Sequence, residues 1–102
     1  MKTVNFNVEV MDLQGKPVQE IGEDGKPWPI VLSKFVATLL ARDNKATDPV
    51  RQLILAQTIY NTKGDIELED ADHKLIEKAV KASGASCIVI ARVLEAMEQK
   101  NG

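Results

Sequence analysis

Pro29-Ile30-Val31-Leu32-Ser33-Lys34-Phe35-Val36-Ala37-Thr38-Leu39-Leu40-Ala41 is where the chain changes period. Val31, Leu32, Phe35, Val36, Leu39 and Leu40 recur at i, i+1, i+4, i+5, i+8 and i+9, the apolar stripe of an amphipathic helix. Pro29 suits a first helical turn, where a missing N–H costs nothing, and Arg42-Asp43-Asn44-Lys45 is a polar stop, so a core helix is expected over about 30–42. Upstream the period is two. From Thr3 to Met11, Val4, Phe6, Val8 and Val10 alternate with Asn5, Asn7 and Glu9, as in a strand with one buried face. Asp12 to Pro17 reads as a turn, Val18 to Ile21 as the return strand, and Gly22 to Pro27 as a second turn. The result is a β-hairpin over about 3–22, whose apolar face must lie on the rest of the fold or on a neighbouring chain because a lone hairpin is marginal.

Downstream the helical period continues. Asp48-Pro49 is a cap followed by a preset first residue, opening a helix over about 49–61 with Val50, Leu53, Ile54, Gln57 and Tyr60 as its expected inner face. Ile66 and Leu68 alternate with Asp65, Glu67 and Glu69 in a short extended link. A third helix over about 70–82 buries Leu75, Ile76, Ala79 and Val80, with Asp70 and Asp72 at its positive end. Ala82 to Ser86 breaks the pattern. A last helix over about 86–99 runs through Ile88, Val89, Ile90, Val93, Leu94 and Met97 to a solvated tail, Glu98 to Gly102. Its first half is apolar nearly all round, which fits a central helix or a subunit contact. The expected fold is α+β, a single domain in which an N-terminal β-hairpin packs beside about four helices, the last of them central.

Composition narrows the function classes. The chain has 102 residues, 44% hydrophobic, with 13 bases against 15 acids and 4% aromatics. That balance argues against a protein built for the phosphate backbone or for base stacking. No apolar run reaches the length of a membrane span, and nothing after Met1-Lys2-Thr3 resembles a secretory leader. With the single Cys87 unable to form an internal disulfide, a reducing cytoplasm is the expected compartment.

Each concentration of polar residues has a simple reading and a functional one. Asp65, Glu67, Glu69, Asp70 and Asp72 have the oxygen chemistry for a hard cation, but an EF-hand needs Gly where Asp70 stands and Glu where Ile76 stands. A solvated helix start explains the acids. His73 lies one turn after Glu69 without a second His or Cys nearby, so no metal set forms and an exposed helix histidine is expected. Cys87 stands ahead of a helix, where a thiol can be activated, yet His73 is the one base available, and a small core cysteine is the simpler expectation.

Ser83, Gly84 and Ser86 sit at the start of the last helix and can present backbone N–H groups to an anion, with Lys81 and Arg92 the nearest cations. The simpler reading is a tight interhelical turn, since the spacing is that of neither a P-loop nor a GxGxxG loop. Trp28, stiffened between Pro27 and Pro29, either packs over the hairpin and first helix or offers its ring as a contact platform. A helix-turn-helix reading fails because Ile88, Val89 and Ile90 stand where a DNA reader needs polar side chains, and Arg51, Gln52 and Gln57 are too few to replace them.

In arrangement the chain resembles a group of short proteins encoded by tailed bacteriophages and prophages. The resembling features are Leu13-Gln14-Gly15-Lys16-Pro17-Val18 after the opening strand, the helix Val31 to Ala41, and Leu55-Ala56-Gln57-Thr58-Ile59-Tyr60-Asn61. Asp65 to Asp72 with Leu75-Ile76 and the closing Ala91-Arg92-Val93-Leu94-Glu95 complete the pattern. The resemblance implies a phage origin and brings no catalytic motif with it.

Without a nucleophile–base pair, paired inward carboxylates or a metal set, the residues point away from catalysis and from a cofactor. The expectation is a small non-enzymatic binding protein that counteracts a host defence system by binding a protein or sequestering a small nucleotide signal. In the nucleotide case a homo-oligomer would line the pocket with Arg42, Arg51, Lys81 and Arg92. The alternative is a head or tail assembly chaperone, whose expected sign is an exposed apolar patch. A DNA-binding regulator is the weaker alternative.

Overall fold

The computed structural model describes residues 2–98. The expected end of the last helix at 99 and the tail from Gln99 to Gly102 lie outside the described residues. In chain order the elements are β1 (Lys2–Asn5), β2 (Gln19–Ile21), β3 (Pro27–Pro29), α1 (Leu32–Ala41), α2 (Pro49–Asn61), β4 (Asp65–Leu68), α3 (Asp70–Lys81) and α4 (Cys87–Met97). Among the described residues, four helices and two small antiparallel sheets make the fold α+β.

The strands pair differently from the expected hairpin. β1 pairs with β4, in the register Val4↔Ile66 and Thr3↔Glu67, so the alternation read as a link is a strand whose apolar side chains continue the buried face of Val4. β2 pairs instead with β3 across the second turn. The first turn closes on one bridge, Met11↔Pro17, because Pro17 has no N–H to extend a ladder.

The stretch from Thr3 to Met11 is therefore split. After β1 it turns to serve α1. Val8 and Phe6 accept hydrogen bonds from the backbone N–H groups of Leu32 and Ser33 at 2.9 and 2.8 Å, satisfying two donors that a helix start leaves without partners. α1 consequently begins at Leu32, while Pro29 remains in β3 and Val31 bridges Glu9.

α1 buries Leu32, Val36, Ala37 and Leu40, and it packs against all three other helices. It, and not the expected last helix, is the hub. α4 lies on α1, α3 and β1 and buries Val89, Val93, Ala96 and Met97.

α2 begins as the sequence indicates, with Pro49 at its first position and the Asp48 carboxylate accepting from the Arg51 N–H at 3.2 Å. Its inner face is the opposite of the expected one. Gln52, Ala56 and Ile59 are buried, whereas Val50, Leu53, Ile54 and Tyr60 are exposed. Gln52 is held in this orientation. Its Nε2 donates to the Leu40 carbonyl at 2.9 Å and to Asp43 Oδ2 at 3.0 Å, closing the C-terminal end of α1, and Ala56 leaves room for the two helices to approach.

Two further expectations are corrected. His73 is buried, with Nε2 lying 3.2 Å from the Met97 carbonyl, so it joins α3 to the end of α4. Cys87 is exposed, because the first residue of α4 faces outward while the buried stripe begins at Val89.

Candidate functional site

The turn between α3 and α4 is built by local chemistry. Gly84 takes φ +74°, which a side chain would resist. The Ser83 hydroxyl donates to the Val80 carbonyl at 2.7 Å and accepts from the Ala85 N–H at 3.2 Å. Ser86 caps α4 in an extended conformation without a side-chain hydrogen bond.

The two cations named with this turn are held elsewhere. Lys81 donates to Glu77 at 2.9 Å, one turn back along α3. Arg92 donates to both Glu95 oxygens at 3.3 Å and through Nε to the Met11 carbonyl at 3.2 Å, tying α4 to the opening segment.

Ser83 also lines a 550 Å³ cleft between the α1–α2 loop and α3, with Asp43, Lys45, Thr47, Gln52 and Lys78 as its other polar residues. The Gln52 amide and the Lys45 backbone N–H hold the Asp43 carboxyl below the usual carboxylate range, helped by the charges of Lys45 and Lys78. Lys45 and Lys78, and not Lys81 and Arg92, are the cations that line this cleft with Ser83. Lys74, Lys78 and Lys81 share a face of α3 at i, i+4 and i+7, a pattern visible in the sequence. Among the described residues no three His, Cys, Asp or Glu side chains converge as metal ligands.

Trp28 belongs to a second assembly. Val10 N–H donates to the Ile30 carbonyl, Ile30 N–H to Val18, and Val18 N–H to Val10, at 2.8, 2.9 and 2.8 Å. This closed ring of three bonds is a stiff base from which two similar turns project.

In the first turn the Asp12 N–H donates to the Lys16 carbonyl, and in the second the Gly22 N–H donates to Lys26. Gly15 and Gly25 occupy the same place with φ +79° and +77°. The signal in the sequence was the repeated Gly-Lys-Pro at Gly15-Lys16-Pro17 and Gly25-Lys26-Pro27, too short to register as a repeat.

The arm presents apolar side chains to solvent: Leu13 is 95% exposed, Ile21 72% and Trp28 54%. The Trp28 ring is nonetheless fixed. Its Nε1 donates to Asp24 Oδ1 at 3.2 Å, and its edge covers Gly22 so closely that a methyl group there would lie 2.5 Å from Cδ1. The Lys26 backbone N–H and the Trp28 indole lower the Asp24 pKa, so the clamp stays ionised throughout the neutral range. Of the expected site residues, the structure gathers Ser83, Gly84 and Ser86 in one turn, directs Lys81 and Arg92 to acids of their own helices, and puts Trp28 on the arm.

No helix among the described residues is long and apolar enough to cross a membrane. Comparison with protein-family models, curated proteins and solved structures finds no match for the chain.

Proposed function

We propose that the chain is a small non-enzymatic binding protein of a tailed phage or prophage, and that it engages a protein partner through the arm spanning residues 9–31. The observation that carries this is the Trp28 indole, half exposed and clamped by Asp24 and Gly22, on an arm that also exposes Leu13 and Ile21. Apolar and aromatic groups held rigidly before binding lose little freedom on contact, the property of an interface anchor. On this reading, for which the resemblance supplies only the phage origin, the partner is a component of a host defence system met in the cytoplasm of the infected cell. An assembly chaperone would use the same exposed surface on a virion protein.

The test is binding of purified host-defence and virion proteins by calorimetry, with Trp28→Ala and Leu13→Asp as paired variants. Both side chains are exposed, so circular dichroism should be unchanged while affinity falls by about tenfold or more for each anchor. Wild-type affinity in both variants rejects the arm. The class of protein bound separates counter-defence from assembly.

A second reading, sequestration of a small nucleotide, is favoured by the 550 Å³ cleft with Lys45, Lys78 and Ser83, a volume within the range of ligand sites. Native mass spectrometry distinguishes it. A nucleotide-sized adduct present on the wild type and absent from Lys78→Ala supports the cleft, whereas a bare protein leaves the arm as the functional surface.

A further inference from the structure

The exposed face of α2 is an apolar feature that neither the core nor the arm uses. Val50 is 70% exposed, Leu53 48%, Ile54 58% and Tyr60 53%. Val50, Leu53, Gln57 and Tyr60 are spaced 3, 4 and 3 residues apart, the a/d seam of a coiled coil, and Ile54 widens it. Alongside runs a groove of about 190 Å³ whose floor on α1 is Ala37, Thr38 and Ala41, small side chains that let another helix approach closely.

Two properties identify what covers this face. The first is its charge. In the 13 residues of α2 the one charged side chain is Arg51, and it is turned to α3, 3.0 Å from Asp72 and 3.6 Å from Glu69. The polar groups beside the stripe are already satisfied along the helix: Thr58 Oγ1 donates to the Ile54 carbonyl and Asn61 Nδ2 to the Gln57 carbonyl, each at 2.9 Å.

Such a face offers no charge to a partner, and the polar groups within it, the Gln57 amide and the Tyr60 hydroxyl, are neutral. A two-fold axis makes each residue meet its own surface patch, so it suits a face without charge. An antiparallel pair also opposes the two helix dipoles favourably.

The second property is area. The four apolar side chains leave on the order of 400 Å² uncovered per copy, the size of a functional patch on a monomer. Counting both copies and the rim at Thr38, Ala41, Gln57 and Asn61 gives about 1,200 Å², where specific interfaces begin.

We infer that two copies of this chain pair through α2, antiparallel about a two-fold axis that crosses the exposed face level with Leu55, with Val50 of each copy against Tyr60 of the other and Leu53 against Gln57. This contact is independent of the arm and leaves Trp28 to another partner.

Sedimentation equilibrium over micromolar to millimolar concentrations tests it. The wild type should move from 11.2 kDa to twice that mass. Val50→Glu or Tyr60→Lys alone should weaken the dimer by about tenfold or more, because each sets a charge against an apolar side chain. Val50→Glu and Tyr60→Lys in one chain bring opposite charges together twice across the axis and should restore much of the loss. Glu in the first turn and Lys in the last suit the helix dipole, so circular dichroism should report an unchanged fold for all three. A wild type that stays at 11.2 kDa overturns the inference, as does a dimer insensitive to either single substitution or a double substitution no better than the worse single one.

Discussion

Helices α1 and α2 pack on each other, yet they obey their sequences differently. α1 buries the stripe its periodicity marks, with Leu32, Val36 and Leu40 inside. α2 turns its more apolar stripe outward and buries Gln52 with Ala56 and Ile59. Burial of α1 is governed by the quantity of apolar surface, since a single stripe dominates it. In α2 apolar residues lie all round, and the choice falls to a polar group. Turning Leu53 and Ile54 inward would carry Gln52 outward and break its hydrogen bonds to the Leu40 carbonyl and the Asp43 carboxylate, a loss of about 1–3 kcal/mol.

The largest expected effect sets the two faces of α2 against each other. Ile59→Ala should cost about 3 kcal/mol in urea unfolding, through lost burial and a cavity. Ile54→Ala, on dilute protein, should cost under about 0.5 kcal/mol. A larger cost for Ile54→Ala than for Ile59→Ala would mean that the helix is turned the other way.

Next comes Gln52→Leu, which keeps the volume and removes both hydrogen bonds; a loss of about 1–2 kcal/mol is expected. A neutral or stabilising result would show that shape alone orients α2. The same variant should raise the Asp43 pKa, read by carboxyl chemical shifts, because the Gln52 amide is the leading cause of its depression. With its folded pKa below the unfolded one, Asp43 contributes stability that is present above the ordinary carboxylate value and lost as pH falls through the folded value. The gap between wild type and variant should therefore narrow below about pH 4 and stay constant through neutrality.

The smallest effect concerns the start of α2. Asp48→Ala removes the cap on the Arg51 N–H and should cost about 1 kcal/mol, without altering which face is buried. An unchanged midpoint would mean that Pro49 and packing suffice to begin the helix.

The α+β class and the four helices were legible because strong periodicities and the Asp48-Pro49 start are local signals. The strand pairing was not. Val4 and Ile66 are far apart in sequence, and alternation marks a strand without saying what it pairs with. The candidate site was legible in part: Trp28 stands out between two prolines, whereas its clamp by Asp24 and Gly22 needs the turn geometry. Lys81 and Arg92 were chosen by nearness in sequence, which does not show that Glu77 and Glu95 already hold them.

By itself the sequence determined where the chain turns, where α2 and α3 begin and which helices carry an apolar stripe, since φ preferences, caps and period act within a few residues. Only the tertiary structure decided that β1 crosses to β4, that His73 is inside and Cys87 outside, and that α2 shows its most apolar face to solvent. Those choices depend on which donors and acceptors meet across the fold and on which side chains fit between the helices: Gln52 reaches the Leu40 carbonyl and Asp43, and the small Ala56 lets α2 approach α1.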